Sequence, residues 1–321
     1  MQYRQLGKTD LNVSRICFGC WQLSPHYWGE VAVSPWEKAL ATALDAGINF
    51  IDTAAVYGNG YAESCLGKLF KENPGMRSKV VLATKFLGNF ENSATGASFP
   101  DTRYDFILRS CEGSLKRLQT DCIDLYQIHA FDSLTNPAEV AAALLRLQHE
   151  GKVRWFGVSN LNPEQMRLYA KYFPVDCLQP LYSLVTRDIE NETLPYCLAE
   201  RMGVIVYSPL YRGLLSGKYG PESTFSDGRR YDAHFSPKAL ARYRTALDEL
   251  RPMADGMGLT LAEFAVNWVL RHPAVTCAIS GIKTADHVSG IVKAAGQEMP
   301  NEIWHQAAGI MLQAKKEALA E

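Results

Sequence analysis

Short apolar, β-branched runs recur along the chain at residues 15–18, 49–51, 80–83, 123–126, 155–158, 177–179, 204–207 and 276–279. Between them apolar positions return at helical spacing over residues 35–46, 61–71, 104–118, 137–150, 163–172 and 189–201. Helix punctuation agrees: Asn162-Pro163 suits a start, and Gly151 and Gly203 follow segments that end there. Eight strands alternating with helices, with no linker between halves, predict an α/β fold: a (β/α)8 TIM barrel in which residues 1–321 form one domain. Two pieces fall outside the repeat. Residues 2–15 read as a hairpin turning at Gly7-Lys8-Thr9-Asp10, placed to close the barrel floor before the first inner strand. Residues 301–321 read as an amphipathic helix beyond the barrel. A stretch rich in Gly, Ser, Pro and Arg, residues 211–237, is too long for an ordinary connection and is expected to act as a lid.

Composition narrows the partners. The chain has 321 residues, 47% of them hydrophobic, and a formal net charge of −1. Its Lys and Arg are scattered rather than striped, so the electrostatic footprint of a nucleic-acid binder is missing. The polar N-terminus has no apolar signal core, and no window has the run of apolar residues that a membrane span needs, so a cytoplasmic protein is expected. The eight Cys lie at irregular spacing, which suits reduced thiols. One pair, Cys17 and Cys20, spells CxxC, but three residues along a strand direct side chains to opposite faces, and no second pair completes a zinc set, so no metal is expected.

Candidate chemistry then follows from position. The segment GNGYAE after Tyr57 looks like a dinucleotide fingerprint, yet Glu63 stands where that motif needs its third glycine, so the loop reads as turn chemistry. In a barrel of this kind the functional face lies at the C-terminal strand ends. Asp52 ends the second strand, with Tyr57 just beyond it; Lys85 ends the third and His129 the fourth. Ser159-Asn160, Gln179 and Tyr207-Ser208 end the fifth, sixth and seventh.

The segments FIDTAAVYGNG, VVLATK, DLYQIH, GKVRWFGVSN, YSPLYRGLLSGKY and ISGIKTADHV, in this order, resemble the aldo-keto reductase superfamily over nearly the whole chain. The layout looks closer to the bacterial branch that includes the potassium-channel β-subunits than to the aldose reductase branch. The resemblance implies an oxidoreductase acting on CH-OH donors, which interconverts a small-molecule aldehyde or ketone and its alcohol with a nicotinamide cofactor. It assigns catalysis to Asp52, Tyr57, Lys85 and His129. Contacts to the nicotinamide carboxamide fall on Ser159, Asn160 and Gln179, and the ring stacks on Tyr207. The pyrophosphate path falls along Ser208, Pro209, Leu210, Gly213 and Leu215. Ser280, Gly281 and Lys283 serve the far phosphate, and His287 completes the cofactor-binding set. The helix after them departs from the family, with His287, Gly290 and Ile291 where Gln and Glu-Asn are usual.

In this scheme Tyr57 gives a proton to the carbonyl oxygen, Lys85 stabilises its phenolate, Asp52 keeps Lys85 charged and His129 orients the carbonyl. Lys283, near a helix N-terminus, suits a 2′-phosphate, so NADP(H) is expected over NAD(H). Trp21 and Trp28, with Tyr57 and His129, give the substrate pocket an aromatic mouth. The alternative function is a cofactor-sensing regulatory or interaction subunit on the same barrel, distinguished by an absence of turnover with any carbonyl or alcohol.

Overall fold

A computed structural model describes residues 1–24, 32–88 and 100–320. A two-stranded antiparallel hairpin, β1 (Tyr3–Gln5) and β2 (Asn12–Ser14), precedes eight parallel strands. These are β3 (Ile16–Gly19), β4 (Phe50–Asp52), β5 (Val81–Phe86), β6 (Ile123–Ile128), β7 (Val153–Ser159), β8 (Cys177–Gln179), β9 (Gly203–Val206) and β10 (Cys277–Ser280). They pair in chain order, and β10 closes the ring between β9 and β3. The eight expected apolar runs all form barrel strands, shifted by up to three residues at their ends.

Ten helices are described: α1 (Val33–Asp45), α2 (Tyr61–Glu72), α3 (Tyr104–Leu118), α4 (Pro137–His149), α5 (Pro163–Ala170), α6 (Thr193–Ala199), α7 (Pro237–Gly256), α8 (Leu261–Arg271), α9 (Asp286–Gly296) and α10 (Asn301–Leu319). Local chemistry explains several starts. Asn162 and Gln165 form a capping box on α5, and Thr260 and Glu263 form one on α8. The expected helix over 189–201 is shorter, because Pro195 lacks an N–H and fits only the first turn; a 3-10 turn over Asp188–Glu190 fills the lead-in. The terminal helix α10 packs along α7 and locks to α8. Trp268 and Trp304 stack with ring centroids 5.3 Å apart, and each indole N–H donates to the other's carbonyl, at 2.9 and 3.0 Å. No described helix is long and apolar enough to cross a membrane.

Strand alternation divides the core in two. Cys17, Phe50, Ala83, Leu125, Cys177, Ile205 and Cys277 point into the barrel, while Ile16, Phe18, Ile51, Leu82 and Tyr126 pack outward under the helices. The CxxC pair is split by the same rule: Cys17 belongs to the interior cluster and Cys20 to the outer one. The hairpin closes the floor, since Leu6, Leu11 and Val13 join the interior cluster. Its turn is left-handed at Gly7 (φ 58°), where an added Cβ would lie 2.4 Å from the Gly203 nitrogen at the start of β9. Gly7→Ala should therefore destabilise the fold by about 2–4 kcal/mol in urea unfolding, through backbone strain and overpacking together. A loss below about 1 kcal/mol would show that the floor adapts.

Candidate active site

Asp52 ends β4 and Lys85 lies on β5, both pointing into the barrel with almost no exposure (2% and 0%). An ammonium in such a place must spend all three donors, and Lys85 does: Nζ donates to Asp52 Oδ1 at 2.7 Å, to the Thr53 carbonyl at 2.8 Å and to the Tyr57 hydroxyl at 3.2 Å. Burial works against the charge on Lys85, but Asp52 and Tyr57 outweigh it and hold its pKa above the ordinary lysine value. Lys85 is thus charged at any physiological pH.

Tyr57 is held by the turn that follows β4. Gly58, Asn59 and Gly60 are all left-handed (φ 62°, 54° and 89°), and α2 starts immediately after them. Glu63, fully buried, anchors that helix by accepting from Arg117 Nε at 2.7 Å and from the Thr84 hydroxyl at 2.6 Å. The glycine-rich turn is therefore structural, as its failed fingerprint implies. Lys85 does draw the pKa of Tyr57 down, but desolvation is the larger effect and leaves the phenol pushed up to about 12. The resting tyrosine is a neutral phenol.

His129 follows β6 and meets Tyr57 edge to face, ring centroids 6.1 Å apart. Desolvation, and then the charge on Lys85, push its pKa down to about 3, so the imidazole is neutral. Its Nδ1 is enclosed without a hydrogen-bond partner.

The other strand ends gather beside this group. The Ser159 hydroxyl donates to the Gln179 carbonyl (2.9 Å) and accepts from Asn160 Nδ2 (3.0 Å), and the Tyr207 hydroxyl donates to Asn160 Oδ1 (2.9 Å). Gln179 turns inward, with Nε2 2.8 Å from Asp52 Oδ2. After β9, Ser208 and Gly213 are left-handed (φ 54° and 90°) and Pro209 is buried. Leu210 is half-buried against the core, whereas the Leu215 side chain is fully within it. Ser280 ends β10 with its hydroxyl buried and unpartnered, and exposed Gly281 follows. Lys283 and His287 are exposed; α9 begins at Asp286, so Lys283 lies just before the helix rather than in its first turn. Trp21 is half-exposed in a 3-10 turn after β3, where Gln22 Nε2 ties to the Ile282 carbonyl at 3.0 Å. Trp28 lies outside the described residues.

Sequence reasoning missed three participants. Gln127, one position below Ile128 on β6, reaches Asp52 Oδ2 from within the barrel. Strand alternation marks it, since Leu125 points inward two residues before it. Lys218 and Arg229, from the long segment after β9, depress the pKa of Lys283 after desolvation has done so, which puts three cations in one field, with Asp227 opposing them. That segment is ordered by its own aromatics: Tyr219, Phe225 and Phe235 pack within 5.1–6.2 Å of one another, and the Arg229 guanidinium lies 4.6 Å from the Phe225 ring centre.

A nicotinamide dinucleotide fits these residues. The amide and hydroxyl groups at β7 and β8 suit a carboxamide, the unpartnered Ser280 hydroxyl suits a phosphate oxygen, and the cations suit the anionic end.

Comparison with known proteins agrees with this architecture. The aldo/keto reductase family model matches residues 15–310. Among relatives, the chain is 35% identical over 305 residues to the aldo-keto reductase YhdN of Bacillus subtilis (strain 168), covering 94% of this chain and 91% of that one. It is 30% identical to the aldo-keto reductase yakc [NADP(+)] of Schizosaccharomyces pombe, over 89% and 84% of the two chains. Among solved structures, the glycerol dehydrogenase AKR11B4 from Gluconobacter oxydans matches at a TM-score of 0.87 and 34% identity, covering 97% of this chain and 95% of that one. The aldo-keto reductase AKR11C1 from Bacillus halodurans, in its holo form, matches at 0.78 and 30%, covering 97% and 96%. Fold, strand-end chemistry and relatedness along nearly the whole chain converge: the protein belongs to the aldo/keto reductase family of oxidoreductases.

Proposed function

We propose that the protein is an NADP(H)-dependent reductase that interconverts a small-molecule aldehyde or ketone and the corresponding alcohol, with Tyr57 as the general acid and base. The observation that carries this reading is the saturated Lys85 ammonium, which binds Asp52 and the Tyr57 hydroxyl at once while a neutral His129 faces the same tyrosine.

A bound cofactor supplies the hydride that adds to the carbonyl carbon. The carbonyl oxygen then gains charge and needs a proton. Tyr57 holds one, because burial keeps it protonated. As that proton leaves, Lys85 stabilises the phenolate at 3.2 Å, and Asp52 balances the ammonium so that the site need not take up another charge. Neutral His129 orients the carbonyl by donating from Nε2, the tautomer that leaves Nδ1 as a bare acceptor. Ser159, Asn160 and Gln179 would hold the carboxamide of the bound cofactor, and Tyr207, braced by Asn160, would back its ring. Trp21 lines the mouth for the substrate. The three cations Lys218, Arg229 and Lys283 favour the cofactor with the extra phosphate, and one relative carries NADP(+) in its name. The sensor alternative has no observation of its own in its favour.

Tyr57→Phe should leave the protein folded and cofactor affinity nearly unchanged, at a stability cost of about 1–3 kcal/mol for the Lys85 proton left unpaired, and lower kcat by at least about 100-fold, the usual scale for loss of a general acid. Steady-state kinetics across a panel of aldehydes, ketones and alcohols tests both the reaction and the assignment; retention of most turnover by the variant would remove Tyr57 from its role.

The two directions should differ in pH dependence. Reduction needs the phenol, and with the Tyr57 pKa pushed up to about 12 that form persists through neutral and mildly alkaline pH, so reduction should show no loss from Tyr57 below about pH 10. Oxidation needs the phenolate, so its rate should climb with pH over the same range. An oxidation rate already level between pH 7 and 9 would contradict the burial effect.

Lys283→Ala should raise KM for NADPH about 10-fold, the loss of one charge-assisted contact, and scarcely change KM for NADH. Equal losses for both cofactors would show that Lys283 does not read the phosphate.

A further inference from the structure

Gln127 lies fully buried on β6, in register with inward-pointing Lys85 on β5 and above an apolar layer of the barrel interior. Its register partner on β7 is Gly157, where an added Cβ would come within 2.9 Å of Gln127 Cγ and 3.3 Å of its Oε1. The bare backbone lets the glutamine lie across β7 toward β8. There Gln179 Nε2 donates to Asp52 Oδ2 at 2.8 Å and approaches Gln127 Oε1 at 3.4 Å, while Gln127 Nε2 approaches the same Asp52 oxygen at 3.4 Å. A carboxylate only accepts, so both amides must turn their NH2 edges toward Asp52. Both protons on Gln179 Nε2 are thereby committed, one to Asp52 and one to Gln127. The Gln179 Oε1 is left as an acceptor on the opposite edge of its amide.

We propose that Gln127 is a positioning residue: it fixes the Gln179 amide so that Oε1 accepts from the NH2 of the cofactor carboxamide, and it steadies the Asp52 oxygen opposite the one that holds Lys85. This rests on the cofactor reading above. Without Gln127 one Gln179 proton is unpaired, and the amide loses the contact that sets its plane. The carboxamide would then meet an acceptor of poorer geometry, and Asp52 Oδ2 would keep one donor in place of two. A buried amide that made no such contribution would be a net burden in this interior, since an unsatisfied one costs about 1–3 kcal/mol.

The test compares equilibrium binding of the nicotinamide cofactor with that of its 3-acetylpyridine analogue, in which a methyl group replaces the NH2 donor. Quenching of intrinsic fluorescence reads both affinities on the full-length protein, and turnover is followed alongside. The unsubstituted protein should favour the carboxamide by about 10-fold, the scale of one hydrogen bond to an otherwise unpaired acceptor. Gln127→Met keeps the volume and removes the amide; its preference should fall to within about 2-fold, with the thermal midpoint nearly unchanged. Gly157→Ala, which pushes the glutamine aside without removing it, should give the same loss and decides the matter should Gln127→Met not fold. An unchanged preference in a folded variant overturns the proposal, as does an equal weakening of both cofactors, the signature of a merely structural role. Failure of the unsubstituted protein to bind either cofactor overturns the functional reading itself, and this inference with it.

Discussion

The ion pair between Lys85 and Asp52 constrains everything around it. Both groups are almost wholly removed from water, and burying an ammonium is tolerable only if each of its protons meets an acceptor. That demand fixes three acceptors in space: the carboxylate at the end of β4, the Thr53 carbonyl just after it and the Tyr57 hydroxyl on the next turn. Removing one partner of such a pair costs about 3–5 kcal/mol, because the other charge is stranded. The hydroxyl proposed as the proton donor is thus positioned by a group whose own stability requires that position.

The barrel interior is divided along its axis to make this possible. Its lower part is apolar and closed by the hairpin, with Leu6, Leu11 and Val13 against Cys17, Phe50 and Cys277. Its upper part carries Asp52, Lys85, Gln127 and Gln179. Water is kept from the polar layer below by packing, so that layer opens only upward, and low polarity beneath it strengthens every contact that it makes. The same desolvation drives Tyr57 and His129 in chemically useful directions: the phenol keeps its proton, and the imidazole stays neutral beside a permanent cation.

Much of this was legible in the chain. Parallel strands buried on both faces leave short apolar runs, and eight of them with helices between define a barrel; the polar residue that ends each run then lies on the functional face. Asp52, Lys85 and His129 could be found in that way, and Tyr57 by its place in the following turn. Gln127 lies inside a strand rather than at its end: alternation from Leu125 gives its inward direction, but its contacts to Asp52 and Gln179 follow only from the folded barrel. Lys218 and Arg229 were hidden for another reason: they come from a long segment whose path is set by packing of Tyr219, Phe225 and Phe235, and no periodicity encodes that path. The balance at Tyr57 was hidden too, because charge partners can be read from sequence, whereas the depth of burial that outweighs Lys85 cannot.

Backbone strain marks the same face independently of any side-chain assignment. Seven non-glycine residues are left-handed among those described, and two of them, Gln119 and Arg201, sit at helix ends where that conformation is common. The other five are Asn59, Asn160, Ser208, Tyr211 and Arg212, all in the turns that follow β4, β7 and β9. Conformations of this kind persist only where the surroundings overdetermine them. Here they are pinned: Tyr207 bonds Asn160, the Tyr211 hydroxyl donates to Asp232 at 3.1 Å, and Arg212 lies 3.6 Å from the same carboxylate. A mouth strained and cross-braced before any ligand arrives has already met the ordering cost of its loops, so binding can be directed to alignment of the reacting atoms.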